Sequence, residues 1–188
     1  LCQEYLGVEV VQVVDPTLLL SAEDYTKLFQ EELPASPGNM MCYLLDRNND
    51  KDSLVNDIAN EKKLIPFHTN SRTEDQKATL EERIQPPVEQ WLQGFRDAEF
   101  VVTDSFHACI FSILYKKTFV VIGNKSRGMT RFECLLQTFG LEDRLVISYE
   151  DYGHRKERLL QPIDYNSVFR VLAEKRDEAF KFLREALG

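Results

Sequence analysis

The chain is short of most of the residue patterns by which a small protein is stapled or armed. Its four cysteines, Cys2, Cys42, Cys109 and Cys134, lie far apart with no C-x-x-C pair. Reduced and mostly buried thiols are therefore expected, rather than a disulfide framework or a zinc site. The three histidines form no metal-type cluster with them. No apolar run reaches the roughly 18 residues needed to span a bilayer, and the first residues lack a basic segment followed by an apolar one, so a cytoplasmic protein without a transmembrane segment is expected. Net positive charge is lacking as well. A formal charge of -8 argues against nucleic acid as a partner held by overall charge. The glycine signatures are missing too: no G-x-G-x-x-G follows the first apolar run, the G-x-x-x-x-G of Gly123–Gly128 has no Lys-Ser/Thr after it, and no G-x-S-x-G elbow occurs. Standard dinucleotide enzymes, P-loop ATPases and α/β-hydrolases are set aside on that ground.

What is present is an alternation of apolar runs and amphipathic segments over 188 residues, a length that suits one domain with its own core. Val8–Val14 reads as a first buried strand stopped by Asp15-Pro16-Thr17. A helix capped by Ser21 follows, with Leu28, Phe29 and Leu33 on its apolar side and Pro34–Asn39 as its end. Met40–Leu45 is a second strand, Asp52–Lys63 a helix and Leu64–Phe67 a third strand. Ser71–Gln85 reads as a long loop or partial helix. Pro86-Pro87 opens a helix carrying Val88, Trp91, Leu92 and Phe95, Phe100–Thr103 is a buried strand, Ser105–Lys117 a helix, and Phe119–Ile122 the next strand. Met129–Phe139 is a helix closed by Gly140 as a left-handed cap. Glu150–Arg158 reads as a charged connector, and a packing helix covers about 163–187, with Phe169, Leu172, Phe180 and Leu183 on one side. This order predicts a single α/β domain over 1–188 with a Rossmann-like parallel sheet and helices on both faces.

The chemistry concentrates between Phe100 and Arg131. His107 falls in the first turn of its helix, where free N–H groups and the helix dipole favour an anion and an imidazole can move a proton. Asp104 either caps the helix or orients that imidazole, and Ser105 is a cap candidate before it is a ligand contact. Lys116, Lys117, Lys125, Arg127 and Arg131 follow one another with no acidic residue between them. Gly123-Asn124-Lys125-Ser126-Arg127-Gly128 leaves the next strand toward the same sheet edge, and its glycines permit close backbone approach. Arg127 and Arg131 are guanidinium forks for a carboxylate or phosphate, with surface salt bridges as the bland alternative.

Asp15-Pro16-Thr17-Leu18-Leu19-Leu20, the run Ala98–His107 ending in Asp-Ser-Phe-His, Arg127-Gly128 with Arg131-Phe132, and Gly140–Leu145 together resemble the polysaccharide pyruvyl transferase family, in a bacterial branch. Ala108 stands where the family commonly has glycine, and Ser105 where some branches have arginine. The resemblance implies a glycosyltransferase-B-type protein of which this chain is the C-terminal, donor-binding lobe. It implies transfer of pyruvate from phosphoenolpyruvate to a hydroxyl of a sugar or lipid-linked oligosaccharide, forming a ketal on an exopolysaccharide or cell-surface glycan precursor at the inner face of the membrane, with no cofactor. An acceptor lobe would precede Leu1, and the lobe alone would be inactive. By the same resemblance His107 is the acid or donor ligand, assisted by Asp104. Ser105, Asn124, Lys125, Ser126, Arg127, Gly128 and Arg131 line the donor site. Two other readings stand beside it: a nucleotide-sugar glycosyltransferase lobe, and a non-catalytic sugar- or anion-binding module.

Overall fold

A computed structural model of the chain describes residues 2–8, 10–29, 33–71, 73, 76–123 and 128–188. Its centre is an all-parallel sheet of β1 (Met40–Tyr43), β2 (Pro66–Phe67), β3 (Phe100–Thr103), β4 (Thr118–Ile122) and β5 (Leu145–Val146), in the order β2-β1-β3-β4-β5. The helices are α1 (Cys2–Leu6), α2 (Ala22–Thr26), α3 (Asn49–Lys62), α4 (Leu80–Arg83), α5 (Val88–Asp97), α6 (Phe106–Leu114), α7 (Thr130–Phe139), α8 (Tyr149–Leu159) and α9 (Tyr165–Leu187). The predicted Rossmann-like α/β architecture is the observed one. Strand order reverses between β1 and β3, which makes their carboxyl ends the switch point of a doubly wound sheet.

Burial on both faces explains why these strands are continuous apolar runs. Side chains alternate across the sheet: Met41, Val101, Phe119 and Val121 pack under α5, α6, α7 and α9, while Met40, Cys42, Phe100, Val102 and Val120 face α3 and α8. Local signals set the helix ends. Asn48 caps α3 through Lys51 N, Ser21 and Asp24 form a reciprocal capping box on α2, and Gly140 closes α7 at φ 66°.

Four expectations need correction. Val8–Val14 is no strand: its described residues join no ladder, and Val10 and Val11 are exposed. Gln12 Nε2 instead donates to Cys134 Sγ on α7 at 3.0 Å, so the run covers a helix rather than joining the sheet. The helix begun at Ser21 ends at Thr26, leaving Leu28 exposed. The charged connector is the helix α8, whose buried stripe is only Tyr152 and Leu159. The short strand β5 was not anticipated. Among the described residues no helix is long and apolar enough to cross a membrane, and Cys42, Cys109 and Cys134 are free thiols.

Phe119 is fully buried on β4, between β3 and β5. Phe119→Ala is expected to lower stability by about 3–5 kcal/mol through lost burial and a residual cavity, read as a shift of the urea unfolding midpoint with an unchanged slope.

Candidate active site

The site is built at the turn between β3 and α6. Thr103 Oγ1 donates to Tyr43 O at 2.7 Å and accepts from Ser105 N at 3.0 Å, which ties the end of β3 to β1 as the chain turns into α6. Ser105 is the N-cap, accepting from Ala108 N at 3.5 Å, so the cap reading holds for Ser105 and not for Asp104. Among the described residues, the Phe106 and His107 amides have no acceptor. They are donors of the kind that a helix N-terminus offers to an anion.

Asp104 points away from His107. Its Oδ1 accepts from Leu45 N at 2.7 Å, and its Oδ2 from Asp46 N at 3.1 Å and Lys51 Nζ at 2.6 Å. Lys51 Nζ also donates to Asp46 O at 2.6 Å. Both side chains of the pair are buried. Asp104 therefore clamps the β1–α3 loop to β3 and does not orient the imidazole. Burial, and after it the Asp104 charge, raise the Tyr43 phenol above its ordinary pKa.

The carboxylate that does face the imidazole is Asp15, with Oδ2 at 4.0 Å from His107 Nε2. Asp15 Oδ1 accepts from Thr17 N at 3.0 Å, capping the 3-10 turn Pro16–Leu19. That turn is pinned from outside: Arg176 of α9 donates to Leu18 O at 2.6 Å and to Leu20 O, and Tyr25 Oη donates to Thr17 O at 3.0 Å.

Leu45, Asp104, Ser105, His107, Gly128, Arg131 and Phe132 line a pocket of about 360 Å³ at the carboxyl edge of the sheet. Gly128 sits at φ 85°, a left-handed conformation natural to glycine, and Arg131 opens α7 with its guanidinium 3.9 Å above the Phe106 ring. Stacking of this kind fixes the plane of the fork while leaving its N–H edge free for an anion. His107, Ser105, Gly128 and Arg131 are thus brought together. Asn124, Lys125, Ser126 and Arg127 lie outside the described residues. The remainder of the basic patch divides, because Lys116 and Lys117 precede β4 and lie at the opposite end of α6. There Lys116 stacks over Phe169 and Lys117 Nζ donates to Arg96 O. Among the described residues no group of His, Cys, Asp and Glu could hold a metal ion.

Sequence reasoning passed over Lys51 and gave Asp15 no role of its own. Lys51 carried a signal, since a lysine between Asp50 and Asp52 in the first turn of a helix opposes the dipole and calls for a compensating anion. These features define a doubly wound α/β protein of Rossmann type, with an open pocket carrying an imidazole and a guanidinium at the carboxyl edge of its sheet. A family model, polysaccharide pyruvyl transferase, matches residues 2–126, and the chain belongs to that family of transferases of polysaccharide biosynthesis. The matched segment carries the Asp104–His107 motif, while Arg131 and Gly140–Leu145 lie beyond it. No curated protein and no solved structure matches the chain.

Asp104→Ala is expected to cost about 3–5 kcal/mol, because the Lys51 ammonium stays buried without its counter-ion. Lys51→Met, which removes that charge at similar volume, is expected to cost less. Chemical unfolding of the two variants checks the order, and equal losses would contradict the clamp.

Proposed function

We propose that this domain holds phosphoenolpyruvate for transfer of pyruvate to a sugar hydroxyl of a surface-glycan precursor, as the donor lobe of a glycosyltransferase-B-type protein. The observation that carries the proposal is the convergence of His107, Arg131 and the α6 N-terminus on one pocket. A donor bearing both a phosphate and a carboxylate needs several directed positive groups, and here they come from different elements: two N-terminal amides of α6, a stacked guanidinium of α7 and an imidazole.

In this reading His107 delivers a proton to the methylene carbon of the enol, which becomes the methyl group. A sugar hydroxyl then bonds to the adjacent carbon, and the carbon–oxygen bond to phosphate breaks with its electron pair leaving on phosphate. A second hydroxyl of the same sugar closes the ketal. Two hydroxyl protons are released and one proton is taken up at carbon, so the second leaves with phosphate. Holding an acid at the carbon and a cation at the leaving group is the type of preorganisation that accelerates such a step. The reaction draws on no cofactor, and the acceptor is a neutral sugar or lipid-linked oligosaccharide met at the inner face of the membrane. A second lobe outside residues 1–188 that holds the rest of the acceptor completes the reading, so this segment alone should bind the donor without turnover.

Titration calorimetry and a phosphate-release assay on the intact protein provide the test. Arg131→Ala should weaken phosphoenolpyruvate binding at least about tenfold, or 1.4 kcal/mol. His107→Ala should lower kcat by about a hundred- to ten-thousand-fold. Binding of nucleotide sugars with no response to phosphoenolpyruvate would overturn the proposal in favour of a glycosyltransferase lobe. Phosphoenolpyruvate binding with turnover unaffected by His107→Ala would remove the histidine from the chemistry.

A further inference from the structure

We propose that a second cleft beside the donor pocket receives the acceptor sugar ring, and that Asp15 is the base that takes the proton from its attacking hydroxyl. The inference rests on the donor reading given above. The cleft, of about 520 Å³, lies between the segment Gln12–Asp15, α7 and the middle of α9 at Lys175, and it shares Phe106 and Arg131 with the donor pocket. The two spaces therefore adjoin, and a volume of this order suits a small ligand.

The two spaces differ in what they offer. The pocket beside α6 presents an imidazole and the amides of a helix N-terminus, whereas the cleft carries Asp15 at the boundary and, at its far side, Lys175, whose ammonium is paired with Glu178. Thr130, Thr138 and Gln12 offer hydroxyl and amide partners within the cleft, while Leu18, Leu135 and Phe139 supply the apolar surface on which the C–H face of a pyranose rests.

The placement of Asp15 fits a catalytic base. Oδ1 is committed to Thr17 N, which fixes the carboxylate, and Oδ2 faces His107 Nε2 at 4.0 Å across the boundary. Base and acid thus flank the junction where the new bond must form. Oδ2 accepts the proton as the sugar oxygen bonds to the enol carbon, His107 supplies a proton to the methylene carbon, and phosphate departs with the electron pair of its bond. The proton on Asp15 passes to solvent or to the departing phosphate before the second hydroxyl adds.

Asn is as good an N-cap as Asp, so Asp15→Asn preserves the turn and removes only the basic oxygen. In the intact protein, with a panel of methyl hexopyranosides as acceptor probes, Asp15→Asn should keep the phosphoenolpyruvate Kd and the unfolding midpoint of wild type. Its kcat should fall a hundredfold or more, and Asp15→Glu should recover part of that loss. Thr138→Phe, which fills the cleft from a half-buried position, should raise the acceptor KM tenfold or more at unchanged phosphoenolpyruvate Kd. If wild type binds the donor and transfers while Asp15→Asn keeps its kcat, the base is misassigned. An unchanged acceptor KM in Thr138→Phe, or no turnover with any sugar of the panel despite bound phosphoenolpyruvate, overturns the cleft as acceptor site. A wild type that fails to bind phosphoenolpyruvate overturns the donor reading and this inference with it.

Discussion

The Lys51 ammonium lies 2.6 Å from Asp104 Oδ2 with 6% of its side chain exposed, and taking two such ions out of water costs several kcal/mol each before their attraction is counted. The arrangement is tolerable because the surrounding polar groups converge on it. Two backbone amides and the ammonium satisfy the carboxylate, while Asp46 O takes another ammonium proton. Buried ion pairs are weak sources of stability but demanding in geometry. This one specifies where the β1–α3 loop lies against β3, and so where Leu45 stands as a wall of the pocket. The consequence extends to ligand placement. In doubly wound sheets a ligand commonly sits at the switch point between β1 and β3, yet here that point is filled by the clamp. The open pocket is displaced toward α6 and α7, where His107 and Arg131 are.

The same displacement explains how a chain of net charge -8 gathers an imidazole, a guanidinium and helix N-terminal amides at one edge. Global charge sets solubility and long-range steering, whereas a pocket responds to the groups within a few ångströms. Several of the acidic side chains are engaged away from the pocket. Asp57 and Glu61 hold Lys156 between α3 and α8, Asp151 holds Arg155 within α8, and Asp104 is neutralised by Lys51. Arg131, by contrast, is stacked on an aromatic ring, which orients its charge without cancelling it.

Period and capping made most of the fold legible. The strands at Met40, Phe100 and Thr118, the cap at Ser105, the left-handed Gly140 and the long α9 follow from local pattern, because each is decided within a few residues. What failed was decided by tertiary context. Val8–Val14 has the composition of a strand but lies against α7, and β-propensity does not say which surface a β-branched run will cover. The segment around α8 has so few buried positions, Tyr152 and Leu159, that its charges masked its helical period, although the Asp151–Arg155 pair at i,i+4 is itself a helix signal. At the site, the placement of His107 and Arg131 at one edge was legible because the strand-to-helix connections of a parallel sheet gather at its carboxyl edge. The partners of Asp104 and His107 were not. Leu45, Lys51 and Asp15 come from sequence positions more than fifty residues away, and no local rule couples them.

Ser105 settles how positive charge can be supplied at this site. Its hydroxyl is committed to Ala108 N and its side chain is buried, so it acts on a ligand only by holding the first turn of α6 open at Phe106 and His107. An arginine here, as in some branches of the family, would give up a cap worth about 1 kcal/mol and would have to reach outward for the anion. With serine the order is reversed. The helix terminus is intact, its amides are aimed by the cap, and the side-chain charge comes from α7, where Arg131 lies over Phe106, a residue of that same first turn. Cap, amides and guanidinium are thereby coupled through one turn of helix, and a change at Ser105 would be felt by Arg131 through the ring between them.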